Sequence, residues 1–186
     1  MGATYLSLQL RMTDRDAAIA GLESVATANV AAGLQFYVTE PIENWLAVFP
    51  NFTPELERTA KTLSARLDCL VLLLLSFDED DLYLMFFRNG KQLPWFKVGV
   101  GRKRTGKERE KITTKLEALA EVCDAESRAR LVSILADATE VTFASDLLRA
   151  VCETAGIRNA FTSFDYLSRG ERDGLETPGE PTLVPA

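Results

Sequence analysis

Apolar and polar positions alternate at the start of the chain. Over residues 4–12, Leu6, Leu8, Leu10 and Met12 share one face, with Ser7, Gln9 and Arg11 on the other, which predicts a half-buried strand. Thr13 followed by Asp16 predicts a helix start, capped by the hydroxyl. The helix runs over about 14–31, with Ile19, Leu22 and Val25 inward and Gly33 at its end. Residues 34–39 and 44–49 read as strands separated by Glu40-Pro41, the second ended by Pro50. Thr53-Pro54-Glu55 then opens a helix in which Leu56, Ala60, Leu63 and Leu67 form an amphipathic stripe.

Residues 70–77 are almost continuously apolar and read as a central strand covered on both faces. After the turn Asp78-Glu79-Asp80-Asp81, a strand is predicted over 82–88. Asn89-Gly90 is a hairpin signal, because both residues tolerate positive φ, and 91–98 returns as the partner strand. Pro94 inside it points to an edge or a bulge. Three helices are predicted beyond a basic loop at 99–107. The first spans about 108–123, with Ile112, Leu116, Leu119 and Cys123 on one face. The second is capped by Asp124, with Leu131, Ile134, Leu135 and Ala138 inward. The third spans about 143–155, with Phe143, Leu147, Leu148 and Val151 inward and Gly156 closing it. Residues 160–167 are read as a last strand. From Gly170 on, glycine, proline and acid dominate, so 170–186 is expected to be a disordered tail behind a single domain of residues 1–169.

The order is β-α-β-β-α-β-β-β-α-α-α-β. Its hairpin links predict an α+β fold with a mostly antiparallel sheet and helices packed on it. The order over 34–123 is similar to that of longin and roadblock modules, which are interaction and dimerisation domains. That similarity is one of element order and does not fix function.

At 186 residues the chain is long enough to bury a core without disulfides or metal. Its net charge of -6 argues against general nucleic-acid binding. The absence of histidine removes Ser-His and Cys-His nucleophile pairs and imidazole acid-base chemistry. Cys69, Cys123 and Cys152 each sit among apolar residues and read as buried, reduced thiols. With no signal peptide and no apolar run long enough to span a bilayer, a cytoplasmic protein is expected.

Several stretches resemble a family of uncharacterised bacterial proteins. They are Trp45-Leu46-Ala47-Val48-Phe49-Pro50, residues 70–90 with their acidic turn, Asp146-Leu147-Leu148-Arg149-Ala150, and Tyr166-Leu167-Ser168-Arg169-Gly170-Glu171. The resemblance covers about residues 44–171 and implies no catalytic residues.

Gly101-Arg102-Lys103-Arg104-Thr105-Gly106-Lys107-Glu108 nearly matches the P-loop pattern. Its last position is Glu108, where a hydroxyl is needed for Mg²⁺. Phosphate binding by Gly101, Gly106 and Lys107 is therefore the alternative reading of a solvated basic loop. Arg102, Lys103, Arg104, Lys107, Arg109 and Lys111 make 102–111 a basic segment, solvated or suited to an acidic partner or a phosphate backbone. Asp78, Glu79, Asp80 and Asp81 form the opposite patch, a docking turn for a basic partner rather than a metal site, since EF-hand spacing is missing. Trp45 and Trp95 default to core packing. Trp95, beside Pro94, is the better interface anchor. The expectation is a non-enzymatic protein-binding module (adaptor, regulatory subunit or immunity-type inhibitor) needing no cofactor. Its expected partner is another protein, a second copy of the chain included.

Overall fold

A computed structural model describes residues 4–29, 32–78, 80–101, 104–117, 124–136, 141–177 and 179–185. Its elements run β1 (Tyr5–Leu10), α1 (Arg15–Ala28), β2 (Phe36–Val38), β3 (Leu46–Pro50), α2 (Leu56–Arg66), β4 (Val71–Phe77), β5 (Asp81–Arg88), β6 (Lys91–Gln92), β7 (Phe96–Gly99), α3 (Gly106–Glu117), α4 (Ala125–Ala136), α5 (Ala144–Ala155), α6 (Phe164–Ser168) and β8 (Thr182–Val184). The eight strands form one sheet in the order β6-β5-β4-β1-β3-β2-β8, with β7 also on β5. Every pairing among the described strands is antiparallel. The fold is α+β. Over 34–123 the β2–β3 hairpin and the β4–β7 meander do not meet directly, because β1 lies between them.

Side-chain alternation along the strands sends neighbouring residues to opposite faces, and both faces are covered. Leu6, Leu8, Leu10, Val71, Leu73 and Phe87 pack with α1 and α2, where Leu22, Val25, Ala60 and Leu63 are buried. Leu72, Leu74, Leu82, Leu84 and Phe86 point the other way, towards Leu116 of α3, Leu131 and Leu135 of α4, and Leu147, Leu148 and Val151 of α5. The unbroken apolar run of β4 is what a strand inside such a sandwich requires.

Four expectations are corrected. β1 is not half-buried. Ser7 and Gln9 are as buried as its leucines, because the loop at 157–162 covers them, and the Gln9 amide donates to Ser7 Oγ (2.9 Å) and to the Asn159 carbonyl (2.7 Å). Asp14, not Thr13, caps α1, accepting from the Ala17 N–H at 2.9 Å. Residues 160–167 do not form a strand. Phe164 and Leu167, one turn apart, sit on the short helix α6, with Leu167 buried and Phe164 against the Tyr37 ring. Phe143 lies at the start of α5 and is 51% exposed, so it does not point inward.

The stretch at 170–186 is not a disordered tail across its described residues. Leu175 packs beside Ala47, Phe49 and Leu167, the Glu176 N–H bonds to Asn159 Oδ1 (2.7 Å), and β8 pairs with β2. Its composition is poor in apolar side chains, but an open sheet edge gives its backbone a partner and Val184 a buried site. Cys69 and Cys152 are buried free thiols, whereas Cys123, Leu119 and Ala138 lie outside the described residues. No helix among the described residues is long and apolar enough to cross a membrane.

Candidate functional site

The outer edge of the sheet is shaped by a bulge. Phe87 opposes Gln92 and the Leu93 N–H bonds to the Phe86 carbonyl (2.8 Å), yet Leu84 opposes Phe96. Residues 93–95 therefore face only 85–86. The extra residue falls at Pro94 and Trp95, since proline cannot donate to a ladder. The hairpin before it closes through Asn89 (φ 49°) and Gly90 (φ 70°), both left-handed as a two-residue turn needs. The bulge leaves Trp95 42% exposed, the only exposed tryptophan. Trp45 is half-buried, its indole N–H donating to the Ala155 carbonyl at the end of α5 (2.9 Å).

Trp95 opens a groove between β7 and α3. The fold brings to it the sequence-predicted Asp80, Asp81 and Arg104, with Lys97, Glu108, Lys111 and Lys115. Lys111 closes the basic segment 102–111 read from the sequence, whereas Lys115, one turn further along α3, was not singled out there. Asp78 lies in the turn ahead of Asp80 and outside the groove lining, and Glu79, Arg102 and Lys103 lie outside the described residues.

Most of the groove's charges are engaged. Lys97 Nζ sits 3.0 Å from Asp81 Oδ2 and 5.1 Å from the centre of the Tyr83 ring. Bonds to Tyr83 and then Asp81 hold its ammonium above the usual lysine range. Lys115 donates to the Trp95 carbonyl (2.7 Å) and lies 5.4 Å from the centre of its ring, while Arg104 donates to the Gly99 carbonyl (3.3 Å). Desolvation, with Lys111 nearby, pulls Lys115 below its ordinary value. The Val100 N–H bonds to the Asp80 carbonyl (3.0 Å), so Trp95 and Gly99 turn their carbonyls away from β5. Lys115 and Arg104 thus occupy acceptors that an incoming strand would need. Together with the bulge, they make this edge a poor template for strand addition.

The near P-loop resolves into a capping box. Thr105 precedes α3, and Glu108 Oε2 accepts from the Thr105 N–H (2.8 Å) and hydroxyl (3.1 Å), while the Glu108 N–H bonds back to Thr105 Oγ1 (3.3 Å). A carboxylate therefore sits at the helix N-terminus that Gly101, Gly106 and Lys107 would offer to a phosphate. The strand before it is an antiparallel edge strand rather than part of a parallel βαβ unit.

A second concavity lies between the sheet and the helices. It measures about 360 Å³, has Leu72, Leu84, Phe86, Leu131, Leu135 and Val151 inside, and opens beside Arg11, Trp45 and Gly156. No residue pattern marked it in the sequence, because its walls come from strands and helices far apart in the chain. No group of three or more metal-ligating side chains occurs among the described residues. No protein-family model, curated protein or solved structure matches the chain.

Proposed function

We propose that the protein is a non-enzymatic binding module and that the β7–α3 groove receives an acidic segment of another protein. The observation that carries this reading is the exposed Trp95 lining a groove whose α3 wall carries the exposed Lys111. Asp81 is matched by Lys97 and Glu108 is turned in on Thr105, while Lys111 and the neighbouring Lys107 and Arg109 are exposed along α3. An aromatic anchor ringed by polar groups suits a protein interface. The acidic turn, expected from sequence to receive a basic partner, is reduced here to Asp80 at one end of the groove.

A photocrosslinking side chain placed at Lys111 in the producing cells tests this. The expected result is one discrete adduct, joined through a partner segment richer in Asp and Glu than in Lys and Arg, and lost when Trp95→Ala is added. A probe at Lys61, exposed on α2, should give no such adduct. An adduct that survives Trp95→Ala, or none from position 111, would overturn the reading. An adduct of twice the chain mass would make the partner a second copy.

A further inference from the structure

α5 lies against β4 and β5, whereas α3 packs on α4 and α4 on α5. The cavity is the space this arrangement leaves over the sheet. Protein interiors are packed to crystal-like density, with few voids larger than a water molecule, and the lining of an empty cavity loses its dispersion partners. About 360 Å³, the mouth included, falls at the lower end of small-molecule sites. Its leucine, valine and phenylalanine side chains give water few partners and favour the apolar part of a guest.

The mouth specifies the other end of a guest. It carries Arg11 and Arg158 against Glu43, Asp124 and Glu153. Arg158 is paired with Glu43 (3.4 Å), Arg11 lies 6.0 Å from the centre of the Trp45 ring, and Asp124 caps α4 through the Ser127 N–H (2.8 Å). The balance is not cationic, so the mouth does not select an anion. Two hydroxyls on it already donate inward, Ser127 Oγ to Asp124 Oδ2 (2.9 Å) and Thr154 Oγ1 to the Ala150 carbonyl (2.8 Å). Each retains lone pairs that can accept from a donor on a guest. We infer that this cavity is a binding site for an uncharged, largely apolar small molecule carrying one hydroxyl or N–H donor, such as a medium-chain alcohol, a phenol or an indole. The site shares Phe96 with the β7–α3 groove but not Trp95, and it does not rest on the function proposed for that groove.

N-phenyl-1-naphthylamine, an uncharged fluorescent amine with a single N–H, is a suitable probe. Saturable enhancement is expected with the intact protein, reversed by octan-1-ol at a concentration at least tenfold below that needed for octanoate of the same chain length. Val151→Phe, which fills the interior, should weaken the dye at least tenfold while preserving or raising the melting temperature. Thr154→Trp, which narrows the mouth, gives the same loss from a half-exposed position and decides the matter should the interior variant not fold. Trp95→Ala should leave the dye unaffected, so failure of the groove reading and failure of this one are distinguishable. No saturable enhancement, enhancement unchanged in both cavity variants, or octanoate competing as well as octanol would overturn the proposal.

Discussion

Asn159 joins parts of the chain that lie far apart in sequence. It is 4% exposed, its carbonyl accepts from Gln9 of β1, its Nδ2 lies 3.4 Å from the hydroxyls of Thr39 and Thr177, and its Oδ1 accepts from the Glu176 N–H. Asn159→Ala leaves the backbone bond to Gln9 in place but removes the side-chain bonds to Thr39, Thr177 and the Glu176 N–H, at a cost of about 1–3 kcal/mol. Denaturant unfolding should show that loss, and hydrogen exchange should place the loosening at 171–177 and β8 before the rest of the sheet. Nothing in Ile157-Arg158-Asn159-Ala160 marks this role in the sequence, since the partners of an isolated asparagine are set by tertiary structure. Cys69 and Cys152 were legible, because their apolar neighbours predict burial. Burial pushes the Cys152 thiol up to about 12 and, with Asp68 adding to it, the Cys69 thiol up to about 11, against an ordinary 9.0. A raised thiol pKa means that the fold favours the neutral form. This contribution to stability is complete below about pH 9 and is lost as pH rises towards 11–12. Cys152→Ala should therefore lose less stability than the parent between pH 9 and 11. In a Cys123→Ser background, an aromatic disulfide reagent should reach neither remaining thiol at pH 7 until the protein unfolds.

At the scale of elements, the same local signal served two readings of residues 101–108. The glycine spacing and Lys107 read as an incomplete phosphate loop, while Thr105 and Glu108 read equally well as the two ends of a capping box. The structure has the second arrangement, because a helix start needs its N–H groups satisfied whether or not a ligand is present. Thr105→Ala should cost about 1 kcal/mol of stability. Glu108→Ser completes the P-loop pattern on paper, yet β7 remains an antiparallel edge strand, so no shift in melting temperature is expected with a nucleoside triphosphate and Mg²⁺. A clear upward shift would return the phosphate reading to first place. The Asn89-Gly90 turn and the Pro94 interruption were legible because each is fixed by backbone chemistry at one or two residues. The β1 register was not. Alternation located its apolar face, but burial of Ser7 and Gln9 depends on a loop 150 residues away in sequence.

For the whole molecule, the expectation that failed is the tail, and the residues that dock it explain the failure. Composition predicts whether a segment can build a core of its own, not whether it can complete one that already exists. Gly174 has φ 88°, and a Cβ there would lie 2.2 Å from the Phe161 carbonyl oxygen, so the chain passes Phe161 at a distance only glycine permits. The Arg15 guanidinium then reaches Glu40 (3.2 Å) and Thr182 (2.5 Å), which binds the start of β8 to the start of α1. β8 covers the outer edge of β2, so the N–H and C=O groups of Phe36 and Val38 are not left open on that side. Removing residues 181–186 exposes this edge and takes away buried Val184. The side-chain loss alone is worth about 1.5–3 kcal/mol, on the order of 5 °C in melting temperature for a chain of this length. An uncovered strand also recruits other strands, so the truncated protein should self-associate with increasing concentration, as read by sedimentation velocity. Tyr37→Lys in the truncated background should suppress that association without restoring the melting temperature, because charge on an edge strand opposes pairing but cannot replace the Val184 contact. Gly174→Ala in the full chain should reproduce part of the same behaviour by preventing the tail from passing Phe161. A truncated protein that melts like the parent and sediments as a monomer would mean that β8 contributes nothing to the sheet.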